Sequence, residues 1–162
     1  MKRIVLLLLA AVLLISLAGC AQTIEPTIFY YTRYDDAYAY GTETAVITPE
    51  YREINGHNGD LKYLLTLYFH GPTMEYLCSP FPSGISLRSV ERSGSTLLIE
   101  LTPSLTVLNG TDLTLACACL AKTCFALTDA EAVTISAHGL GFVSMTLTRD
   151  SLMLSDDSPI PE

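Results

Sequence analysis

The chain has 162 residues, about one domain's worth, and a mean hydropathy of +0.37 that would suit a membrane protein if it were spread evenly. It is not: residues 4–18, IVLLLLAAVLLISLA, hold most of the excess behind Lys2 and Arg3, and the chain after residue 19 keeps seven Lys and Arg against 17 Asp and Glu, a balance of −10 over 143 residues. That acidity without a basic cluster excludes nucleic acid as a partner and a polybasic grip on anionic lipid, because both need gathered Lys and Arg.

The apolar run of 15 is short for a bilayer span, which needs about 20 residues, and fits the h-region of a secretory signal. It ends in Leu17-Ala18-Gly19-Cys20, a small-residue cleavage site followed by cysteine. This resembles the lipobox of bacterial lipoproteins. That resemblance implies removal of residues 1–19, a diacylglycerol thioether on Cys20, and a chain held at the extracytoplasmic face of the cell membrane. Two or more acyl chains anchor stably where one binds marginally. Residues 20–26 then form the lipidated N-terminus and a tether, long enough at about 3.3 Å per residue to lift a domain roughly 20 Å.

The folded domain is expected over residues 27–148, with 149–162 as the strand end and an acidic, proline-containing tail. From Thr27 to Glu50 aromatic and β-branched residues, broken at Asp35-Asp36 and Gly41, predict two short strands. The two Asn-Gly pairs of INGHNG predict a turn. Asp60 is placed to cap a helix over about 60–70, in which Leu61, Leu64, Leu65 and Tyr68 keep helical spacing and Gly71-Pro72 ends the run. After the loop LCSPFPSG, the segments ISLRSVE and STLLIELT, joined by Arg92-Ser93-Gly94, predict a β-hairpin. A second helix starts after Asn109-Gly110 with Thr111 as its cap, and Leu113, Ala116, Cys117, Leu120, Cys124 and Leu127 line one face. AVTISA and FVSMTLT predict closing strands on either side of His138-Gly139. The order predicts an α/β chain of the α+β kind, with two helices packed on one face of a small mixed sheet.

Several of these landmarks coincide with a known domain. The helix ending in Gly71-Pro72, the loop Ser79-Pro80-Phe81-Pro82, the hairpin closing on Ile99-Glu100-Leu101-Thr102, the second helix with Thr123 and Phe125, and Val133-Thr134-Ile135 running to Gly139 resemble the GerMN domain, the sporulation and spore germination domain of bacterial envelope lipoproteins. The resemblance spans about residues 27–139. It implies a compact α/β fold similar to ring-building-motif domains, with no catalytic residues to carry over and a role in assembly or partner binding. The chain departs from the germination-protein pattern in having one copy where that pattern has two, and in placing cysteines along the second helix.

Reactive groups are scattered. With Cys20 assigned to lipid, Cys78, Cys117, Cys119 and Cys124 remain. On one helix Cys117 and Cys124 lie two turns apart, about 10 Å, beyond disulfide reach. They are read as small buried apolar residues, with a bridge from Cys78 to one of them as the alternative; C-x-C-x₄-C lacks the paired spacing of structural zinc. His57, His70 and His138 are far apart in sequence and read as polar surface. Gly84-Ile85-Ser86-Leu87-Arg88 lacks the second glycine of a nucleophile elbow, and Gly139-Leu140-Gly141 lacks the third glycine of a dinucleotide site. Asp35-Asp36 and Asp156-Asp157 do not follow calcium-loop spacing.

The nine tyrosines all lie between residues 30 and 76, five of them between 30 and 40. They read either as a sheet edge packed over helix one, with Tyr30, Tyr34, Tyr38 and Tyr40 sharing parity, or as an aromatic contact surface that includes Tyr31 and Tyr38. The expected function is that of a membrane-tethered, non-enzymatic envelope module, without cofactor, metal or catalytic residues. Its expected partners are membrane lipid through Cys20 and an envelope protein or further copies of itself, in a sporulation or germination setting. The alternative is an envelope enzyme or binding protein acting on peptidoglycan or peptides.

Overall fold

A computed structural model describes residues 26–33, 47–54, 56–57, 59–139 and 141–152. The signal segment, Cys20, the tether before Pro26, Asp35-Asp36, Tyr34, Tyr38, Tyr40 and the tail from residue 153 lie outside the described residues.

The α+β class is observed, but the strands divide into two sheets in place of the one small mixed sheet, with both helices on one face, that the element order predicts, because among the described residues the strand Thr27–Arg33 pairs only with Ile47–Arg52 and Leu77–Cys78. Strands β1 (Thr27–Arg33), β2 (Ile47–Arg52) and β3 (Leu77–Cys78) form a three-stranded sheet in the order β2-β1-β3. Strands β4 (Leu87–Ser93), β5 (Thr96–Leu101), β6 (Ala132–His138) and β7 (Phe142–Thr148) form a four-stranded sheet in that order. The second sheet is the mixed one: β5 and β6 run parallel, and β4–β5 and β6–β7 are antiparallel. A parallel pair needs a long crossover, supplied here by a 3-10 turn (Pro103–Val107) and helix α2 (Gly110–Leu127). Helix α1 (Leu61–Phe69) connects β2 to β3.

Alternation dictates the core of the four-stranded sheet. Leu97, Ile99 and Leu101 of β5 and Val133, Ile135 and Ala137 of β6 are buried, while their neighbours Leu98 and Thr134 turn outward. Helix α1 begins as its sequence predicts: the Asp60 carboxylate accepts from the Tyr63 amide at 3.0 Å. It ends at Gly71, whose φ of +93° suits a residue without Cβ. Buried Leu64, Leu65 and Tyr68 give it one apolar face.

Helix α2 departs from the predicted single stripe. Residues 116–121 and 123–125 are all buried, because the helix packs against β1 as well as β6 and β7. Its 18 residues are long and apolar enough on average for a membrane span, yet half of that stretch is buried inside the fold, as in a core helix. The cap also differs. Asn109 holds the N-cap position without a side-chain bond, and Thr111 lies exposed in the first turn, since the helix already begins at Gly110. In the hairpin the turn is Gly94-Ser95, with Gly94 at φ +62°; Arg92 and Ser93 belong to β4 because they pair with Leu97 and Thr96.

The chain beyond β7 is packed as far as Leu152, itself buried in a short 3-10 turn. Arg149 lies over the Phe125 ring at 4.9 Å and donates to the carbonyls of Phe125, Thr128 and Ala130, closing the C-terminal end of α2.

Candidate functional site

The aromatic cluster forms where β1 meets both helices. Phe29, Tyr31 and Tyr68 are buried, and Tyr31 stacks on Tyr68 at 4.9 Å with an interplanar angle of 14°. The Tyr31 hydroxyl donates to the Tyr68 carbonyl, and the Tyr68 hydroxyl donates to the Tyr30 carbonyl. On the same edge of β1 the Tyr30 amide donates to Thr123 Oγ1 at 2.9 Å. Since β3 pairs with β1 only at Thr32 and Arg33, Thr123 and Tyr68 take over the hydrogen bonds that a longer strand would have made. Tyr31 is therefore core, which corrects its reading as part of a contact surface: a residue with 0% exposure has no area to offer. Burial also pushes its phenol far above the usual range, offset only in part by Arg52, with the Glu50 charge adding to the rise. Tyr51, Tyr63 and Tyr76 are the exposed tyrosines among the described residues.

Beside this cluster sits a buried charge pair. Glu50 is 1% exposed, and its Oε1 accepts from the Thr73 amide (2.7 Å), the Thr73 hydroxyl (2.6 Å) and the Met74 amide (3.0 Å). Its Oε2 takes Arg52 Nε at 2.8 Å and Arg52 Nη2. Arg52 Nη2 also donates to the Gly71 carbonyl at 2.7 Å, and the guanidinium lies over Phe29 at 4.9 Å. Burial acts to raise the Glu50 pKa, but the Thr73 and Arg52 donors outweigh it and hold the carboxyl below its ordinary range. Every lone pair points to a structural partner, so the pair clasps β2 to the loop after α1. Sequence reasoning passed over it. The available signal was Glu50-Tyr51-Arg52, which sets opposite charges on one face of a strand; Thr73 comes from another element and could not be inferred.

The cysteines behave as read. Cys78, Cys117, Cys119 and Cys124 are free thiols, so the Cys78 bridge is not formed. Burial pushes Cys117 up to about 11 and Cys119 up to about 12, the opposite of a nucleophilic thiol. Among the described residues no group of three or more His, Cys, Asp and Glu is arranged to hold a metal ion.

The histidines do not converge. His57 stacks on Tyr63 at 4.2 Å, His70 Nδ1 meets the Thr66 carbonyl at 2.8 Å, and His138 ends β6. His138 does border an open depression of about 220 Å³ on the outer face of the four-stranded sheet, with Ser89, Glu91, Glu100 and Ser136. Its groups are turned to other work: Glu100 pairs with Arg88 at 3.0 Å, and the Ser136 hydroxyl donates to the Ile99 carbonyl at 3.4 Å. A second depression of about 210 Å³, between the end of α1 and the start of β4, is lined by Thr66, Phe69, His70, Ile85, Ser86 and Leu87. Both are smaller than the roughly 300–1,000 Å³ typical of small-molecule sites.

No family model and no curated protein matches the chain. Among solved structures it is similar to the tandem GerMN domains of the sporulation protein GerM from Bacillus subtilis, with 16% identity and a TM-score of 0.48. The likeness covers 76% of this chain and 42% of that one, so the chain spans less than half the length of the chain it matches.

Proposed function

We propose that the chain is a lipid-anchored envelope protein whose one folded domain works as a non-enzymatic assembly or partner-binding module. The observation that carries the reading is how the buried polar groups are used. Glu50, Arg52, Tyr31, Tyr68 and Thr123 are spent on joining β1, β2, both helices and the loop at Thr73, and none of them lines either depression described above. Perturbed groups in an enzyme site face a cleft, where substrate meets them. The order of Lys2-Arg3, apolar run, small residues and Cys20 supports the anchor, and the sequence resemblance to the GerMN family supplies sporulation or germination as the setting. Membrane lipid through Cys20, and an envelope protein or further copies of this chain, are the proposed partners.

Metabolic labelling with a fatty-acid analogue tests the anchor. Label should enter the wild-type chain and not Cys20→Ser, which should stay at precursor size; equal label in both removes the anchor from the reading. The alternative of an envelope enzyme or a peptidoglycan- or peptide-binding protein rests on the depression at His138. His138→Ala combined with Ser136→Ala should leave the cellular phenotype intact. Its loss in a folded, correctly located protein would favour that alternative.

A further inference from the structure

Four strands stand at sheet edges, and three carry features that discourage an added strand. Strand β2 contains Pro49, β3 has two residues, and β4 carries Arg88, Glu91 and Arg92 with an irregularity between Leu87 and Ser89. Strand β7 has none of these. FVSMTLT is seven residues long, uncharged and free of proline, and pairs with β6 without interruption from Phe142 to Thr148.

The hydrogen-bond pattern tells which groups of β7 face the open edge. The Gly139 amide donates to the Gly141 carbonyl, and the Arg149 amide donates to the Glu131 carbonyl, so odd-numbered positions turn toward β6. Backbone groups of 142, 144, 146 and 148 turn away from it, because successive residues of a strand point to opposite sides. Thr148 is closed off: its amide donates to Ser151 Oγ at 2.9 Å, and its carbonyl accepts from the same hydroxyl at 2.8 Å. Phe142, Ser144 and Thr146 are left, with no edge partner among the described residues. On the core side Val143, Met145 and Leu147 are only half-buried, while the Ser144 and Thr146 side chains are exposed.

We propose that β7 pairs antiparallel with β7 of a second copy, about a two-fold axis at Ser144. The proposal rests on the assembly reading above and names the partner. In this register Ser144 faces Ser144 of the second copy and Phe142 faces Thr146, which uses every outward residue and gives about six hydrogen bonds, two per facing pair. Shifting the axis by one residue brings in the capped Thr148 or the hairpin turn and loses a pair. The choice of a second copy follows from charge. The chain carries 17 acidic against nine basic residues, so two copies repel over most of their surfaces, whereas this strand has no charge to oppose itself. A two-fold interface needs a self-complementary patch, and a neutral strand centred on a serine is one. Val143 and Met145 would then lie beside Met145 and Val143 of the second copy, extending the core across the axis.

Facing Cα atoms of a hydrogen-bonded antiparallel pair lie about 5.5 Å apart, within disulfide reach. The test is the full-length chain in detergent, carrying Cys78→Ser to remove the half-buried native thiol, with Ser144→Cys or, on β4, Glu91→Cys. Mild oxidation should give a covalent dimer from Ser144→Cys, above the baseline of the parent and of Glu91→Cys. Light scattering should show a dimer for wild type, and Ser144→Lys should weaken it at least about tenfold with an unchanged melt. A monomeric wild type, equal crosslinking from both cysteine positions, a dimer indifferent to Ser144→Lys, or a different protein trapped at residue 144 would each overturn the pairing. Fatty-acid labelling of Cys20 is read in the same samples. A labelled monomer overturns the strand pairing alone, and an unlabelled chain overturns the anchor alone.

Discussion

Replacing Glu50 by glutamine tests the idea that its charge holds the fold together. The carboxylate is 1% exposed and faces Arg52, whose side chain is 10% exposed; the variant keeps the shape and removes the charge. Breaking a buried pair from one side costs about 3–5 kcal/mol, because the remaining ion has lost both water and partner. Against a total stability of about 5–15 kcal/mol, that is a large fraction. The wild-type carboxyl titrates below its unfolded value, so its contribution is present above the unfolded pKa of about 4.3 and is lost as pH falls through the folded value. Urea unfolding at pH 7 and at pH 3 reads both effects. Glu50→Gln should lower the midpoint strongly at pH 7 with an unchanged slope, and should lose less than wild type on acidification. Adding Arg52→Met should recover part of the loss, since a pair of uncharged groups leaves no stranded ion. A loss below about 1 kcal/mol at pH 7, or an acid limb identical to wild type, would refute the clasp.

Thr123→Val removes the acceptor for the Tyr30 amide without changing shape and should cost about 1–3 kcal/mol in chemical denaturation, while Thr123→Ser should stay near wild type. Leu120→Asp, at a fully buried position of α2, should abolish the cooperative melt seen by circular dichroism. Gly139→Ala places a Cβ 3.0 Å from Pro103 Cβ and 3.2 Å from the Pro103 carbonyl oxygen; the melting temperature should fall by several degrees, about 1–2 kcal/mol, whereas Gly141→Ala, with nothing within 4 Å, should not move it by that route. Replacing His57, His70 and His138 together by alanine should shift stability by less than about 1 kcal/mol in total, since all three are exposed.

Local chemistry determined much of this protein. Asp60 and Gly71 mark the ends of α1 because a cap bond and a positive φ are short-range demands, met by residues within a few positions. Alternation in TLLIEL and AVTISA identifies the buried faces of β5 and β6, and the spacing of Ala116, Cys117, Leu120 and Cys124 identifies one buried face of α2. Tertiary structure alone decided the rest. The sequence of α2 cannot say that Cys119, Ala121 and Thr123 are buried too, because that depends on β1 arriving from 93 residues away and needing Thr123 Oγ1 for its Tyr30 amide. Tyr30 and Tyr31 are adjacent and chemically alike, yet one is half-buried beside Lys122 and the other is enclosed by Phe29 and Tyr68; only the placement of α1 over β1 separates them. Glu50 was one acidic residue of 17 until Thr73 and Arg52 closed on it. The open edge of β7 was decided in the same way. FVSMTLT announces a strand by its own residues, but whether a strand lies inside a sheet or at its margin is set by the order of its neighbours, which no local pattern encodes.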